Sequence, residues 1–490
     1  GKRPPSEEAV LRARAHRPLL VPGLLLGPML CMVLLGAAPG RAEPPAGRLS
    51  LEQAIQKALA HSPNLASVRE DRTAAGLQRH ESQTYFLPSL STSYSWQRDQ
   101  DAKGNNSQPS GPSGAGSENT YAWSTTLTQP LFTGFRLSSA FRLADLGVDL
   151  AETQVRLAVL DVSLAVKEAF FDYLRAQKNE EVAQQALTRL TSHLKVAEEY
   201  HDVGNIPVND VLKVRVQLAE AQQQAVYANN TTNMARSRLN TLLGLPVRGP
   251  LEVEDILGFH EVPVTYEQAL AAARTRRPEL KALDLRLSQA DQSIINAQSY
   301  YFPQLSLQGA YTFTNEKPEM GDSDIYDPSG WHVITRLDWS LWEWGRTSSQ
   351  VGQRRAQKRR VENARREAEE QVDLQVQQYH LALQDSSKNI ATAKAAIISA
   401  SENFRITLER FKEQMATNTE VLDAQTLLTQ ANNNYFNALA SYNLAEARLL
   451  RTMGQGAPED GPPPWVKPGG AAPVLHTPAP PPLSPPNGQP

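Results

Sequence analysis

The chain has 490 residues, 40% hydrophobic and 21% charged, with a formal net charge of −3 and a single cysteine. That length supplies a core without help from disulfides or metal, and one Cys excludes an intrachain disulfide or a Cys-based zinc site. Charge so nearly balanced gives no reason to expect nucleic acid as a partner.

Lys2, Arg3, Arg12, Arg14 and Arg17 precede an apolar run from Leu19 to about Ala38, and Gly40 and Ala42 offer small residues for cleavage before Glu43. A basic region, an apolar core and a small-residue site in that order predict a secretory signal peptide over 1–42. Pro22, Gly23, Gly27 and Pro28 interrupt the run, which speaks against a retained membrane anchor. Cys31 lies inside the apolar core after Pro28-Met29-Leu30, without the small residues a lipidation site wants, so lipidation is not expected. Removing 1–42 leaves a chain of net charge −7 with no cysteine.

From Leu51 to Leu87 the sequence is rich in Ala, Gln, Glu and Leu, and its one strong breaker, Pro63, follows Ser62 and can open a second helix after a short first one. Two alternating stretches come next. The first predicts a strand over 89–99 with Leu90, Tyr94 and Trp96 set against serines, and the second a strand over 120–130 with Tyr121, Trp123 and Leu127 on one face. Phe135 to Tyr200 contains no Pro, and Val155, Val159, Val162, Val166, Ala169, Tyr173 and Ala176 recur at spacings of four and three. That seam predicts a coiled-coil-like helix over 134–202, about 100 Å long at about 1.5 Å per residue. Gly204-Asn205-Ile206-Pro207 breaks it, and a helix over 207–243 returns to Gly244.

The same order then repeats. Leu51-Glu52-Gln53-Ala54-Ile55 matches Tyr266-Glu267-Gln268-Ala269-Leu270 at an offset of 215, as do Pro63 with Pro278 and Pro88 with Pro303. Beyond the first hairpin the offset becomes 210, pairing Leu131-Phe132 with Leu341-Trp342, Arg136 with Arg346, Val211-Leu212 with Val421-Leu422 and Gly244 with Gly454. An ordered series of this kind marks a duplication, with repeats over 43–247 and 248–454. In the second, a helix is expected over 266–301 and a strand over 304–314 carrying Leu305, Leu307, Tyr311 and Phe313. A strand over 331–342 carrying Trp331, Val333, Leu337, Trp339 and Leu341 comes after it, then a long helix over 345–413 and a returning helix over 418–453. The last 36 residues, 455–490, hold 13 prolines and are expected to be a disordered tail.

Each strand alternates between apolar and polar side chains, so the sheet has one face for each kind of solvent. Strands of about 10 residues match the length that crosses an outer membrane, and the apolar residues named above are the expected lipid-facing set. Four strands cannot close a barrel, whereas three copies of the chain bring twelve, an even number compatible with closure. The polar loops 101–120 and 315–330 suit the outer ends of the strand pairs.

The repeat, the signal and the motifs together resemble the outer membrane efflux protein family, the TolC-like exit ducts of Gram-negative envelopes. The segments that carry the likeness are Leu51-Glu52-Gln53-Ala54, Pro130-Leu131-Phe132-Thr133-Gly134, and Gly204 through Asp210-Val211-Leu212. The second repeat adds Leu341-Trp342-Glu343-Trp344-Gly345 and Thr419-Glu420-Val421-Leu422-Asp423. The resemblance implies a mainly α-helical chain with a membrane β-barrel: a homotrimer with a twelve-stranded barrel in outer membrane lipid, continued by a long α-helical periplasmic tunnel. It implies a periplasmic adaptor (membrane fusion) protein and an inner-membrane pump of RND or ABC type as partners, and efflux or type I secretion as the task. The second tip, Gln414-Met415-Ala416-Thr417-Asn418, lacks the glycine found at Gly204, and Ser340 stands where the first repeat has Pro130.

On that reading Glu402, Glu409, Glu413 and Asp423 are candidate acids of the periplasmic entrance, since any residue facing the lumen recurs as a threefold ring. Asp202, Gly204, Asn205, Ile206, Pro207, Asn209, Asp210, Met415, Thr417, Asn418 and Glu420 are candidate tip and adaptor contacts. Tyr200 and Arg410 are candidates for a gate latch. No catalytic, cofactor or metal motif is evident: there is no His-Glu-x-x-His, no phosphate-binding Gly-rich loop and no paired ligand spacing. The alternative is a periplasmic coiled-coil adaptor or scaffold, which accounts for the helices but not for four amphipathic, aromatic-rich strands.

Overall fold

The computed structural model describes residues 48–98, 119–315, 317–318 and 329–461; the expected signal peptide, most of both strand-connecting loops and most of the Pro-rich tail lie outside the described residues. The first repeat runs α1 (Leu51–His61), α2 (Pro63–Thr84), β1 (Ser89–Arg98), β2 (Asn119–Phe132), α3 (Arg136–Asp202) and α4 (Val208–Leu242). The second runs α5 (Tyr266–Arg276), α6 (Pro278–Gln298), β3 (Gln304–Asn315), β4 (Ser329–Asp338), α7 (Arg346–Lys412) and α8 (Asn418–Thr452). The stretch expected as one helix over 266–301 is therefore two helices and a 3₁₀ turn, Ser299–Tyr301. The break falls at Arg277, which is held extended (φ −70°, ψ 120°) before Pro278. Ser50 and Thr265 open the two repeats with the same device, a capping box closed by Gln53 and Gln268.

The strands form one antiparallel sheet in the order β1-β2-β3-β4. Its register obeys the duplication: Ser89 lies opposite Thr128 in one hairpin and Gln304 opposite Asp338 in the other, positions related by offsets of 215 and 210. The central β2–β3 pairing joins the repeats, with a bulge between Pro130 and Phe132, where proline has no N–H for the ladder. Because Tyr94 lies opposite Trp123, Trp123 opposite Phe313 and Tyr311 opposite Trp331, the aromatic residues of all four strands share one face, while Ile334, opposite Gln308, falls on the other. The other face carries Ser91, Ser93, Thr126, Ser124, Ser306, Gln308, Thr312, Arg336 and His332. β4 ends at Asp338, so Trp339 and Leu341 fall beyond the strand rather than within it. The counterpart of Trp339 in β2, Gln129, is held opposite Leu307 of β3, whereas β4 is an edge with no strand on its far side.

Helix α3 is packed along one half by α1 and α2 and along the other by α4, and α7 is packed in the same way by α5, α6 and α8. The seam read from the sequence is the core. Val166, Ala169, Phe170, Tyr173 and Leu174 of α3 bury against Ile55 and Ala58 of α1 and Leu239 and Leu243 of α4. The second repeat buries Val372, Val376 and Leu383 with Ala269, Ala273, Leu439 and Tyr442. The linker between repeats is tied to both cores, by the Tyr173 hydroxyl donating to the Leu251 carbonyl at 3.0 Å and Tyr442 donating to that of His260 at 2.5 Å. The repeats also meet through α3 and α6, where the Asn296 side chain donates to the Arg136 carbonyl at 3.1 Å and to Ser139 Oγ at 3.0 Å.

The first residues of the expected disordered tail, 455–461, are ordered instead. Arg156 pairs with Glu459 at 3.2 Å and with Asp460, Lys167 donates to the Gly456 carbonyl at 3.3 Å, and Ala457 is buried. Charge pairing and one apolar contact outweigh the local Pro and Gly content there.

Candidate functional site

The two helical hairpins turn at tips 210 residues apart, and both tips close with the same backbone hydrogen bonds. At the first, Gly204 N donates to the His201 carbonyl and Asn205 N to that of Tyr200, both at 2.8 Å; at the second, Gln414 N donates to Phe411 at 3.0 Å and Met415 N to Arg410 at 2.7 Å. This is the double hydrogen bond of a Schellman end, which needs a left-handed residue. Gly204 supplies it at φ 80° and Gln414 at φ 60°. The second tip thus keeps the same turn without glycine, and Gln414 bears the steric cost.

The returning helices begin differently. Thr417 caps α8 through a capping box with Glu420, whereas Pro207 precedes α4 with no side-chain cap. Glu420 is held below the usual carboxylate range by hydrogen bonds from Thr417, its own exposure notwithstanding.

The tips are joined by a cluster that crosses from one repeat to the other. Leu190 and Ala197 of α3, Val211 and Val214 of α4 and Leu422 of α8 form its apolar part. Above them the His193 ring, 6% exposed, packs edge-on against Phe411 at 5.1 Å, and its Nε2 meets Asn418 Oδ1 at 2.6 Å. Asn418 in turn donates to the Asp210 carbonyl at 3.0 Å. Burial pushes the His193 imidazole below its ordinary pKa, and its Nδ1 has no hydrogen-bond partner among the described residues. Tyr200 stacks on Phe411 at 5.7 Å and its hydroxyl donates to the Lys412 carbonyl at 2.9 Å. Arg189 donates to Gln425 at 2.9 Å, and Lys213 reaches both Asp210 at 3.1 Å and Thr419 at 3.5 Å.

Of the two latch candidates, Tyr200 therefore bridges the repeats. Arg410 stays within its own tip, donating to the Met415 carbonyl at 2.9 Å and lying 3.9 Å from Glu420. Among the tip residues, Asp210, Asn418 and Glu420 are engaged as described, and His201 bonds the Ile206 carbonyl at 3.0 Å. Asp202, Gly204, Asn205, Pro207, Asn209, Met415 and Thr417 are exposed at the extreme end. Sequence reading missed His193, Phe411, Asn418's bridging role, Lys213 and Arg189, because each belongs to a helix face whose partner is more than 200 residues away.

The four acids that are candidates for the entrance, Glu402, Glu409, Glu413 and Asp423, are all exposed. Glu402 and Glu409 clasp one guanidinium, that of Arg405, at 2.6 Å and 2.9 Å, which holds Glu402 below and Arg405 above their ordinary ranges. That triad carries one net negative charge. Glu413 and Asp423 have no ion-pair partner among the described residues. No group of His, Cys, Asp and Glu suited to holding a metal ion occurs among the described residues, and no described helix is long and apolar enough to cross a membrane.

The model of the family described as outer membrane efflux protein matches residues 54–245 and 269–455, one segment per repeat. The outer membrane protein TolC of Vibrio cholerae is 24% identical over 313 residues, which cover 63% of this chain and 71% of that protein. The TolC of Escherichia coli K12 is 24% identical over 420 residues, covering 83% of this chain and 82% of that one. The crystal structure of the Campylobacter jejuni CmeC outer membrane channel shares the fold with a TM-score of 0.73 at 16% identity, over 84% of this chain and 87% of the other.

Proposed function

This chain belongs to the outer membrane efflux protein family, and on that premise we propose how its parts divide the work of a passive exit duct. The chain is a conduit and not an enzyme: it sits in the outer membrane with a large helical extension into the periplasm, and the energy for transport comes from a partner. Three copies close a twelve-stranded barrel, with the face of Tyr94, Trp123, Tyr311 and Trp331 toward lipid and the Ser- and Thr-rich face toward the lumen. The carrying observation is that register, which gathers the aromatic residues of four strands on one face while leaving β1 and β4 as open edges.

The hairpin tips are the periplasmic entrance, docked by an adaptor protein that an inner-membrane pump of RND or ABC type carries. Tyr200 latches the entrance from one repeat to the other, and Glu413 and Asp423, with the Arg405 triad, give it a negative field that favours cations. Opening moves the α7–α8 hairpin away from α3 and α4 and breaks the Tyr200–Lys412 bond.

The test is planar-bilayer conductance of the detergent-purified mature chain, together with its native mass in detergent. A trimer giving small, cation-preferring currents is expected. A monomer that needs no detergent and conducts nothing overturns the reading.

A further inference from the structure

The duplication makes the contact between the two repeats of one chain a template for the contact between chains, and the charges show where the two differ. Within the chain, β2 pairs with β3 and α3 lies along α6. The corresponding surfaces that find no partner inside the chain are β4 with α7, from the second repeat, and β1 with α2, from the first. Resting on the trimeric reading above, in which β4 and α7 of one copy meet β1 and α2 of the next, we propose that the register of this seam is set by the duplication and that a salt bridge from Arg360 to Glu70 secures it.

The strand register comes from β2–β3. Leu127 lies opposite Gly309; carried through the offsets of 210 and 215, this places Leu337 of one copy opposite Tyr94 of the next. The same step places Thr335 opposite Trp96 and, past the bulge carried over from Pro130 and Phe132, Trp342 opposite Leu90. Every pair so generated keeps the aromatic face on one side, which a slip of one residue would not. It also gives Trp339, left beyond the end of β4 in the single chain, a strand to pair with.

The helix level comes from α3 and α6, which run antiparallel. A side chain at Gly147 would lie 3.9 Å from Gln289, and Asn296 bonds Ser139. Farther along, Thr153 and Arg156 share a small cavity with Pro278 and Lys281. Between these fixed points Leu150 is level with Leu285, flanked by Asp149 on α3 and Arg286 on α6. The counterparts of Asp149 and Leu150 on α7 are Arg359 and Arg360, and those of Leu285 and Arg286 on α2 are Glu70 and Asp71. All four are exposed and have no ion-pair partner among the described residues.

The template thus changes in one respect: an apolar level with an acid on the long helix and a base on the short one becomes two bases on the long helix and two acids on the short one. Opposite charges at matching levels attract in the proposed seam. The wrong dockings open to the two free faces, α7 on α7 or α2 on α2, set base against base or acid against acid and are repelled. The reversal therefore steers each second repeat to the first repeat of another copy, which is the head-to-tail order a closed ring requires.

Two sets of variants test this on the full mature chain, which contains no other cysteine. In the first, Tyr94→Cys with Leu337→Cys is oxidised in detergent and run on denaturing gels, alongside Tyr94→Cys with Thr335→Cys. Covalent trimers from the 94/337 pair, severalfold more abundant than from the 94/335 pair, are expected. In the second, Arg360→Glu lowers the trimer fraction by native mass severalfold, and adding Glu70→Arg restores it. Preferential cross-linking of the 94/335 pair, or a trimer fraction that Arg360→Glu leaves unchanged, overturns the proposed seam while the trimeric reading stands. A wild-type chain that is monomeric by native mass overturns both.

Discussion

At the scale of single residues, backbone geometry sets the firmest limits. Gly134 opens α3 at φ 61°, and a Cβ there would stand 2.5 Å from the Ser299 carbonyl oxygen. Gly134→Ala should cost roughly 1–2 kcal/mol for the left-handed backbone alone, with the overlap added, and lower the midpoint of thermal unfolding followed by helical circular dichroism. The counterpart turn of the second repeat uses the same two left-handed positions with the residue types exchanged, Trp344 and Gly345 for Gly134 and Phe135, so one glycine per turn suffices. His193 sets a pH limit. Burial depresses its pKa, so below the ordinary 6.5 the unfolded chain takes up a proton that the folded chain resists, and stability falls as pH drops from there. His260 has the opposite sign: hydrogen bonding to Glu446 raises its pKa, so its contribution is full below 6.5 and is lost as pH rises through the folded value. The expected outcome is that His193→Gln flattens the acid side of the stability profile, measured as denaturation midpoints from neutral to mildly acidic pH; an unchanged acid slope would remove His193 from this role.

At the scale of elements, the long helices were legible because their buried seam is written in their own periodicity, and their ends because Gly204, Gly244 and Gly454 mark Schellman turns. The end at Gln414 shows that the turn is a property of the hairpin and not of glycine. The contacts between hairpins were not legible, since each depends on two faces brought together from distant parts of the chain. Tyr200 is the clearest: its hydroxyl makes a cross-repeat bond of about 1 kcal/mol, while its ring stays stacked on Phe411. Tyr200→Phe should therefore leave the fold and trimer intact and shift the closed–open balance toward open by roughly fivefold per copy for a bond of about that size. Single-channel recordings would read this as a higher open probability at neutral pH, and recordings indistinguishable from wild type would count against the latch.

At the scale of the molecule, each side chain of the entrance counts three times in the proposed trimer, so a small local imbalance becomes a field across the lumen. Arg405→Ala releases Glu402 and Glu409 and changes their triad from one net negative charge to two per copy. The expected result is a stronger cation preference, seen as a shifted reversal potential in a salt gradient; an unchanged reversal potential would place these acids away from the conduction path. The duplication, the kinds of element in each repeat and the two-faced strands could be read from the amino acids alone, because these are set by local periodicity, by Gly and Pro, and by comparison of one half with the other. That the sheet puts its aromatics in one register, that β4 stops at Asp338, that residues 455–461 are pinned to α3, and that His193 and Tyr200 join the two tips emerged from the folded chain. Those depend on which surfaces meet, and the free energy of a contact between distant segments is written in neither segment alone.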